Sequence, residues 1–255
     1  VKSATYNLYT EPMNNETLFV AVTLLDLCIV LLAWKFGKEW VIATIIANII
    51  LVSTFASKIV NVFGYSSTIV AVFYAAIFIA TDILTEHHGK KVGYQSVWMG
   101  FLALATFTIM GQLALLFVPT TETATMSSAM NTLFSAVPRI AIASFTAYLI
   151  AQNFDIWLFH RIGERTEKRL LWLRNMGSTA ISQFLDNLIF FPIAFGGTVP
   201  FNVLTELILV SWLVKMFVAL LDTPFIYLSY VVKGITPPDF QKRKTSTVEA
   251  PATGL

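Results

Sequence analysis

Apolar residues run along this chain in blocks of roughly twenty, separated by short polar or basic stretches. A helix rises about 1.5 Å per residue and the hydrocarbon of a bilayer is about 30 Å thick, so blocks of this length predict helices that cross a membrane. Seven are found, at 17–34, 40–57, 67–85, 95–118, 132–152, 178–195 and 204–232. The fold class that follows is all-α, a polytopic bundle of about seven transmembrane helices, with six spans as the alternative. A polar stretch, 1–16, precedes the bundle at 17–232. That stretch lacks a basic n-region, so the first apolar block reads as a span and not as a cleavable signal.

Basic residues give the orientation, because loops on the inner side retain Lys and Arg. They gather after every second span: Lys35 and Lys38; Lys90 and Lys91; Arg161, Arg165, Lys168, Arg169 and Arg174; then Lys233, Lys242, Arg243 and Lys244. The Thr/Ser stretch at 119–131 and the turn around Gly196, Gly197 and Pro200 are nearly uncharged. The N-terminus is therefore expected outside and the C-terminus inside. A basic cytoplasmic loop is expected at 153–177, its segment 160–174 helical and lying along the inner leaflet, and a tail at 233–255, without apolar periodicity, is expected to be disordered.

Composition agrees with this class. The 255 residues are 56% hydrophobic and only 13% charged, with a formal net charge of +2, whereas a soluble domain carries about 25% charged residues. Soluble and disordered chains are both excluded. The single cysteine, Cys28, excludes an internal disulfide and a cysteine-based metal site.

The informative residues are the polar ones that the spans fail to exclude, since a charge at a helix centre costs roughly 2.5–3.5 kcal/mol on insertion scales. On the sixth span Thr179, Ser182, Gln183, Asp186, Asn187 and Phe190 recur at steps of three and four, forming one inward polar stripe. Its amide and carboxylate groups offer donors and acceptors together, a mixture suited to the edge of a small planar ligand. On the seventh span Ser211, Lys215 and Asp222 share a face, and Glu206 lies opposite at the outer end. Lys215 either closes an ion pair or binds an anionic or electron-rich group. Asp82 and Glu86, one turn apart at the inner end of the third span, are candidates for substrate binding or proton coupling, as is Asp222. His87 and His88 read as a solvated turn, with no further ligands at zinc spacing. Arg139 begins a ladder with Ala143, Ala147 and Ala151, whose small side chains allow close packing. It reads either as a substrate clamp or as the partner of Asp186 or Glu206. Asp26 and Asn48 read as packing contacts.

No P-loop, H-E-x-x-H, G-x-S-x-G or dinucleotide-binding glycine pattern occurs. A chain that is not an enzyme and needs no cofactor or metal is expected. Nucleic acid is not an expected partner; membrane lipid is, and self-association is left open.

Three segments then carry a resemblance. ATDILTEHHGKKVGYQSVWMGF at 80–101, LWLRNMGSTAISQFLDNLIFFPIAF at 171–195 and KMFVALLDTPFIYL at 215–228 resemble, in order, motifs of the queuosine precursor transporter family, also called the vitamin uptake transporter family. The resemblance implies uptake across the cell's inner or plasma membrane of 7-cyano-7-deazaguanine, 7-aminomethyl-7-deazaguanine or queuine. The polar side chains suit such a guest, because a guanine-like edge donates to a carboxylate and accepts from an amide or cation. Gln183, Asp186 and Asn187 are expected to read the ligand edge, with Arg139 and Lys215 setting the charge of the cavity. The alternatives are a substrate-binding subunit of an ATP-driven vitamin importer and a proton-coupled permease for another small solute.

Overall fold

The computed structural model describes residues 14–55, 58–62, 65–134 and 138–240. The chain runs through α1 (Asn15–Phe36), α2 (Lys38–Phe55), a two-stranded antiparallel hairpin of β1 (Ile59–Val62) and β2 (Tyr65–Thr68), α3 (Val70–His88), α4 (Lys90–Ala114), α5 (Ala124–Phe134), α6 (Pro138–Arg165), α7 (Leu171–Phe195) and α8 (Phe201–Val232). In the hairpin Ile59 pairs with Thr68 and Val62 with Tyr65. Asn15 ties the start of α1 to it, its side-chain amide donating to the Asn61 carbonyl at 3.1 Å.

All-helical membrane architecture is borne out. Among the described residues, α1, α2, α3, α4 and α8 are long and apolar enough to cross a bilayer. α6 and α7 have the length, 28 and 25 residues, with a more polar composition. Large apolar side chains stay exposed on the outer faces, among them Leu25, Leu102, Ile109, Leu213 and Leu220. Lipid is the medium in which such a surface needs no further cover.

α3 is the axis of the bundle. It touches α1, α2, α4, α6, α7 and α8, and its residues are buried almost without a break from Ala71 to Thr85. Ala71, Ala75, Ala76 and Ala80 let neighbours approach its backbone. Two single glycines turn helical hairpins: Gly37 joins α1 to α2 at φ 135°, and Gly89 joins α3 to α4 at φ 83°, both in the region that residues with a Cβ avoid. Lys35, Lys38, Lys90 and Lys91 flank these two turns. Lys233 joins them at the same end, its ammonium 4.6 Å from the ring centroid of Trp34.

Three expectations change. The Thr/Ser stretch at 119–131 holds a 3-10 turn, Thr121–Thr123, and most of the short helix α5. The β-hairpin was not foreseen. The basic segment at 153–177 is helical over most of its length, as expected for 160–174, but as the end of α6 and the start of α7, joined by residues 166–170, and not as a separate helix. Glu167, Lys168 and Leu170 take positive φ there (51°, 60° and 54°) to reverse the chain. The physical reason is that Asp155, Phe159 and Arg174 are all buried between the two helices, so the helical hydrogen bonding continues past the apolar blocks. Beyond α8, Pro238–Phe240 forms a 3-10 turn; residues 1–13 and 241–255, with most of the expected polar N-terminus and of the tail, lie outside the described residues.

Candidate functional site

The polar stripe of α7 faces the bundle interior, as its spacing predicts, and is longer than expected. Arg174, Asn175, Ser178, Thr179, Ser182, Gln183, Asp186 and Asn187 are all buried. From Arg174 to Asn187 this column spans about 20 Å at about 1.5 Å per residue. Three polar layers stand along it, each built against a different set of neighbours.

The first layer is an ion pair with an amide attached. The Lys215 ammonium of α8 donates to Asp186 Oδ2 at 2.6 Å and to Asn187 Oδ1 at 2.8 Å. It lies 5.0 Å from the ring centroid of Tyr74 on α3. Asn187 is fixed from its other side, its Nδ2 donating to the Ile208 carbonyl at 3.1 Å. Lys215 and Asp186 are nearly enclosed, at 10% and 6% side-chain exposure, so each neutralises a charge that the hydrocarbon would otherwise reject.

Next to this pair is a small cavity lined by Ala71, Ala75 and Phe78 of α3, Thr179 and Gln183 of α7, and Lys215, Val218, Ala219 and Asp222 of α8. Its free volume is about 10 Å³, room for about one water. The chamber is too small for a larger guest. Two of its buried groups, Thr179 Oγ1 and Gln183 Oε1, have no hydrogen-bond partner. A wider groove of about 720 Å³ lies elsewhere, between the lysine-bearing ends of α2 and α4 beside Tyr94 and Trp98, away from the column.

The middle layer gathers carboxylates. Asp82 of α3, Asp155 of α6 and Asp222 of α8 are each at most 1% exposed. Ser182 donates to Asp155 Oδ1 at 2.8 Å, and Asn175 Nδ2 to Asp222 Oδ1 at 3.1 Å. Asp82 and Asp155 are neighbours across the α3–α6 contact, which Gln152 Nε2 closes by donating to Thr81 Oγ1 at 3.0 Å.

The third layer lies toward the lysine-rich end. Arg174 grips Glu86 with both prongs of its guanidinium, Nη1 to Oε2 at 2.5 Å and Nη2 to Oε1 at 2.8 Å, and the Tyr230 hydroxyl also donates to Glu86. The guanidinium sits over Phe159, 5.1 Å from the ring centroid. His87 Nε2 meets Ser229 Oγ at 2.8 Å and its ring lies against Trp34 and Tyr230, while Trp34 Nε1 donates to the Ser229 carbonyl at 2.9 Å.

Of the residues singled out by sequence, Gln183, Asp186, Asn187 and Lys215 come together at the first layer and the cavity. Asp82 and Asp222 come together in the middle layer. Glu86 is held apart from both by its bidentate clamp and is not the solvated helix end its position suggests. His88 is exposed, whereas His87 is packed inside. Asn48 Nδ2 donates to Asp26 Oδ1 at 3.2 Å, the packing contact expected of both. Glu206 is exposed. Arg139 lies in the first turn of α6, and its side chain is outside the described residues; the cation facing Asp186 is Lys215.

Sequence reasoning missed Asp155 and Arg174 as interior residues, although both stand on ladders it had begun. Asp155 is the next four-residue step after Arg139, Ala143, Ala147 and Ala151, and Arg174 precedes Ser178, Ser182 and Asp186 at the same interval.

Comparison with known proteins places this architecture. A family model described as "Putative vitamin uptake transporter" matches residues 68–229. A protein of Bacillus subtilis named "Probable queuosine precursor transporter" is 36% identical over 234 residues, covering 89% of this chain and 98% of that protein. The "Queuosine precursor transporter" of Escherichia coli is 27% identical over 53% of this chain and 58% of its own length. A "Probable queuosine precursor transporter" of Haemophilus influenzae is 27% identical over 63% and 67%. No solved structure matches. These relatives are named as transporters and not as enzymes, and the apolar helices make this chain a multi-pass protein of the cell membrane. The chain belongs to the queuosine precursor transporter family, the vitamin uptake transporters whose motifs its sequence resembles.

Proposed function

We propose that this protein imports a queuosine precursor, 7-cyano-7-deazaguanine, 7-aminomethyl-7-deazaguanine or queuine, through the polar column of α7. The observation that carries the reading is the buried polar cluster in which Lys215 holds Asp186 and Asn187, beside a chamber that Lys215 and Gln183 line. Gln183 and Thr179 present groups there that the protein leaves unmatched and that a guest can engage once the chamber opens. The donor edge of a deazaguanine supplies N–H groups to Gln183 Oε1 and Asp186. Its carbonyl accepts from Lys215, and Phe78 and Tyr74 flank the plane.

The chamber is closed to anything larger than water, so loading a purine-sized guest requires α3 and α8 to part from α7. Pro192 in α7 and Pro224 in α8 interrupt the hydrogen bonding of those helices and supply points of bending. In this reading α1, α2, α3, α4, α6, α7 and α8 all span the membrane, with the N-terminus outside and the lysine-rich end inside.

Uptake of radiolabelled precursor into cells lacking their own importer tests the proposal. Asp186→Ala, expressed and inserted to the wild-type level, is expected to reduce uptake at least to roughly a tenth, the loss of about 1.4 kcal/mol of recognition. Unchanged uptake overturns the site assignment.

A further inference from the structure

The buried column holds more acid than its bases can match. Glu86 and Asp186 each face a cation, Arg174 and Lys215, and the hydrogen bonds of those two cations are directed to them and to Asn187. Asp82, Asp155 and Asp222 have no cation bonded to any of them among the described residues. Asp155 and Asp222 accept from neutral donors, Ser182 at 2.8 Å and Asn175 at 3.1 Å. Asp82 accepts from none: both its oxygens are buried without a donor, as is the second oxygen of Asp155.

The groups facing this layer come from every helix around it. α3 brings Asp82, with Glu86 one turn away; α6 brings Asp155; α7 brings Arg174, Asn175, Ser178 and Ser182; α8 brings Asp222 and, toward the inner layer, Tyr230. No titratable group of α1, α2 or α4 faces Asp82 or Asp155 among the described residues. Two ionised carboxylates close together in a dry interior repel strongly, and a proton on one of them relieves that repulsion and gives it a donor for an unmatched oxygen.

From this geometry we propose that Asp82 carries a transportable proton, donated in the closed state to the free Oδ2 of Asp155, and that the protein is a proton-coupled importer. Asp222 connects the acid pair to the chamber, since it belongs to both. The unmatched Thr179 hydroxyl and Gln183 carbonyl, each 3% exposed, line the same chamber and offer a path for water between it and the acids. Loss of the proton leaves Asp82 and Asp155 as like charges face to face and drives α3 away from α6; regaining it lets them close. The acid pair is thus the two-state element whose balance both proton and guest can bias.

This inference rests on the transport reading above, so its test has one readout that involves no substrate. Infrared spectra of the purified full-length protein in lipid at neutral pH are expected to show the carbonyl stretch of a protonated carboxylic acid. The band is expected to shift in deuterated water and to vanish in Asp82→Asn, while Glu86→Gln leaves it in place. Absence of the band, or its persistence in both Asp82→Asn and Asp155→Asn, overturns the proposal. If Asp82→Asn does not fold, Ser182→Ala is expected to move the band, because it removes the other hydrogen bond to Asp155.

The second readout is uptake of labelled 7-aminomethyl-7-deazaguanine into proteoliposomes. For one proton per substrate, each pH unit of acid-outside gradient is expected to raise accumulation roughly tenfold. Asp155→Asn is expected to keep substrate exchange at zero gradient and lose this response. Uptake indifferent to the pH gradient, or driven by sodium instead, overturns the coupling. If the acid band behaves as expected and none of the three precursors is taken up under any gradient, the proton site stands and the substrate reading falls.

Discussion

Removing the ammonium of Lys215 strips Asp186 of its counter-charge and Asn187 of its donor at once. Breaking a buried pair from one side costs roughly 3–5 kcal/mol. Lys215→Met is therefore expected to lower the thermal midpoint in detergent and abolish uptake, whereas Lys215→Met combined with Asp186→Asn regains much of the stability and none of the uptake. A double-mutant cycle on thermal unfolding checks the coupling. Arg174→Lys is the gentler case: the charge stays and the planar fork is lost, so Glu86 keeps one hydrogen bond from position 174 instead of two, beside that of Tyr230. Its expected cost is about 1–2 kcal/mol. At this scale the sequence was legible wherever a polar residue interrupted an apolar block, as Asp186, Asn187 and Lys215 do. Asp155 and Arg174 escaped because each stands among the other charges of a basic stretch, where a buried charge and a solvated one look alike. The contact between Asp82 and Asp155 joins residues 73 positions apart by number, and no local spacing specifies it.

Helix α3 meets α4 and α6 at Gly93, where an added Cβ would run into the Thr85 hydroxyl and come within 3.4 Å of Ile156. The Thr85 hydroxyl is committed to the Thr81 carbonyl at 2.8 Å and has little freedom to yield. Gly93→Ala is expected to destabilise the bundle by about 1–3 kcal/mol, the range for overpacking, readable as a fall in detergent melting temperature. Pro224→Ala restores a backbone donor to the middle of α8, and uptake is expected to slow while binding at equilibrium is retained; a filter-binding assay beside a transport assay separates the two. The existence of the long helices followed from the length of the apolar blocks, because crossing a bilayer sets a minimum that few other structures share. Their ends did not, because hydropathy stops where apolar residues stop and hydrogen bonding does not. That is why α6 and α7 each extend well into the basic segment between the fifth and sixth apolar blocks, and why the short polar helix α5, with no apolar block, was invisible.

Across the whole molecule, charge asymmetry predicts which end faces the cell interior. Because Cys28 is the sole cysteine, Cys28→Ser gives a clean background for single-cysteine labelling. A cysteine at Thr121 is expected to react with a membrane-impermeant maleimide on intact cells, and one at Lys168 only after permeabilisation; the reverse pattern would invert the bundle. The five-residue joint between α6 and α7 bears on how such a molecule can work. With three of its residues wound left-handed and Lys168 N–H bonded back to the Gly163 carbonyl at 2.7 Å, it has no slack to pay out. The two helices it ties must travel as one slab, carrying Asp155 and Asp186 together. In the proposed cycle the seam that unzips to admit cargo then runs along α3 and α8, the two sides from which Asp82 and Lys215 reach across.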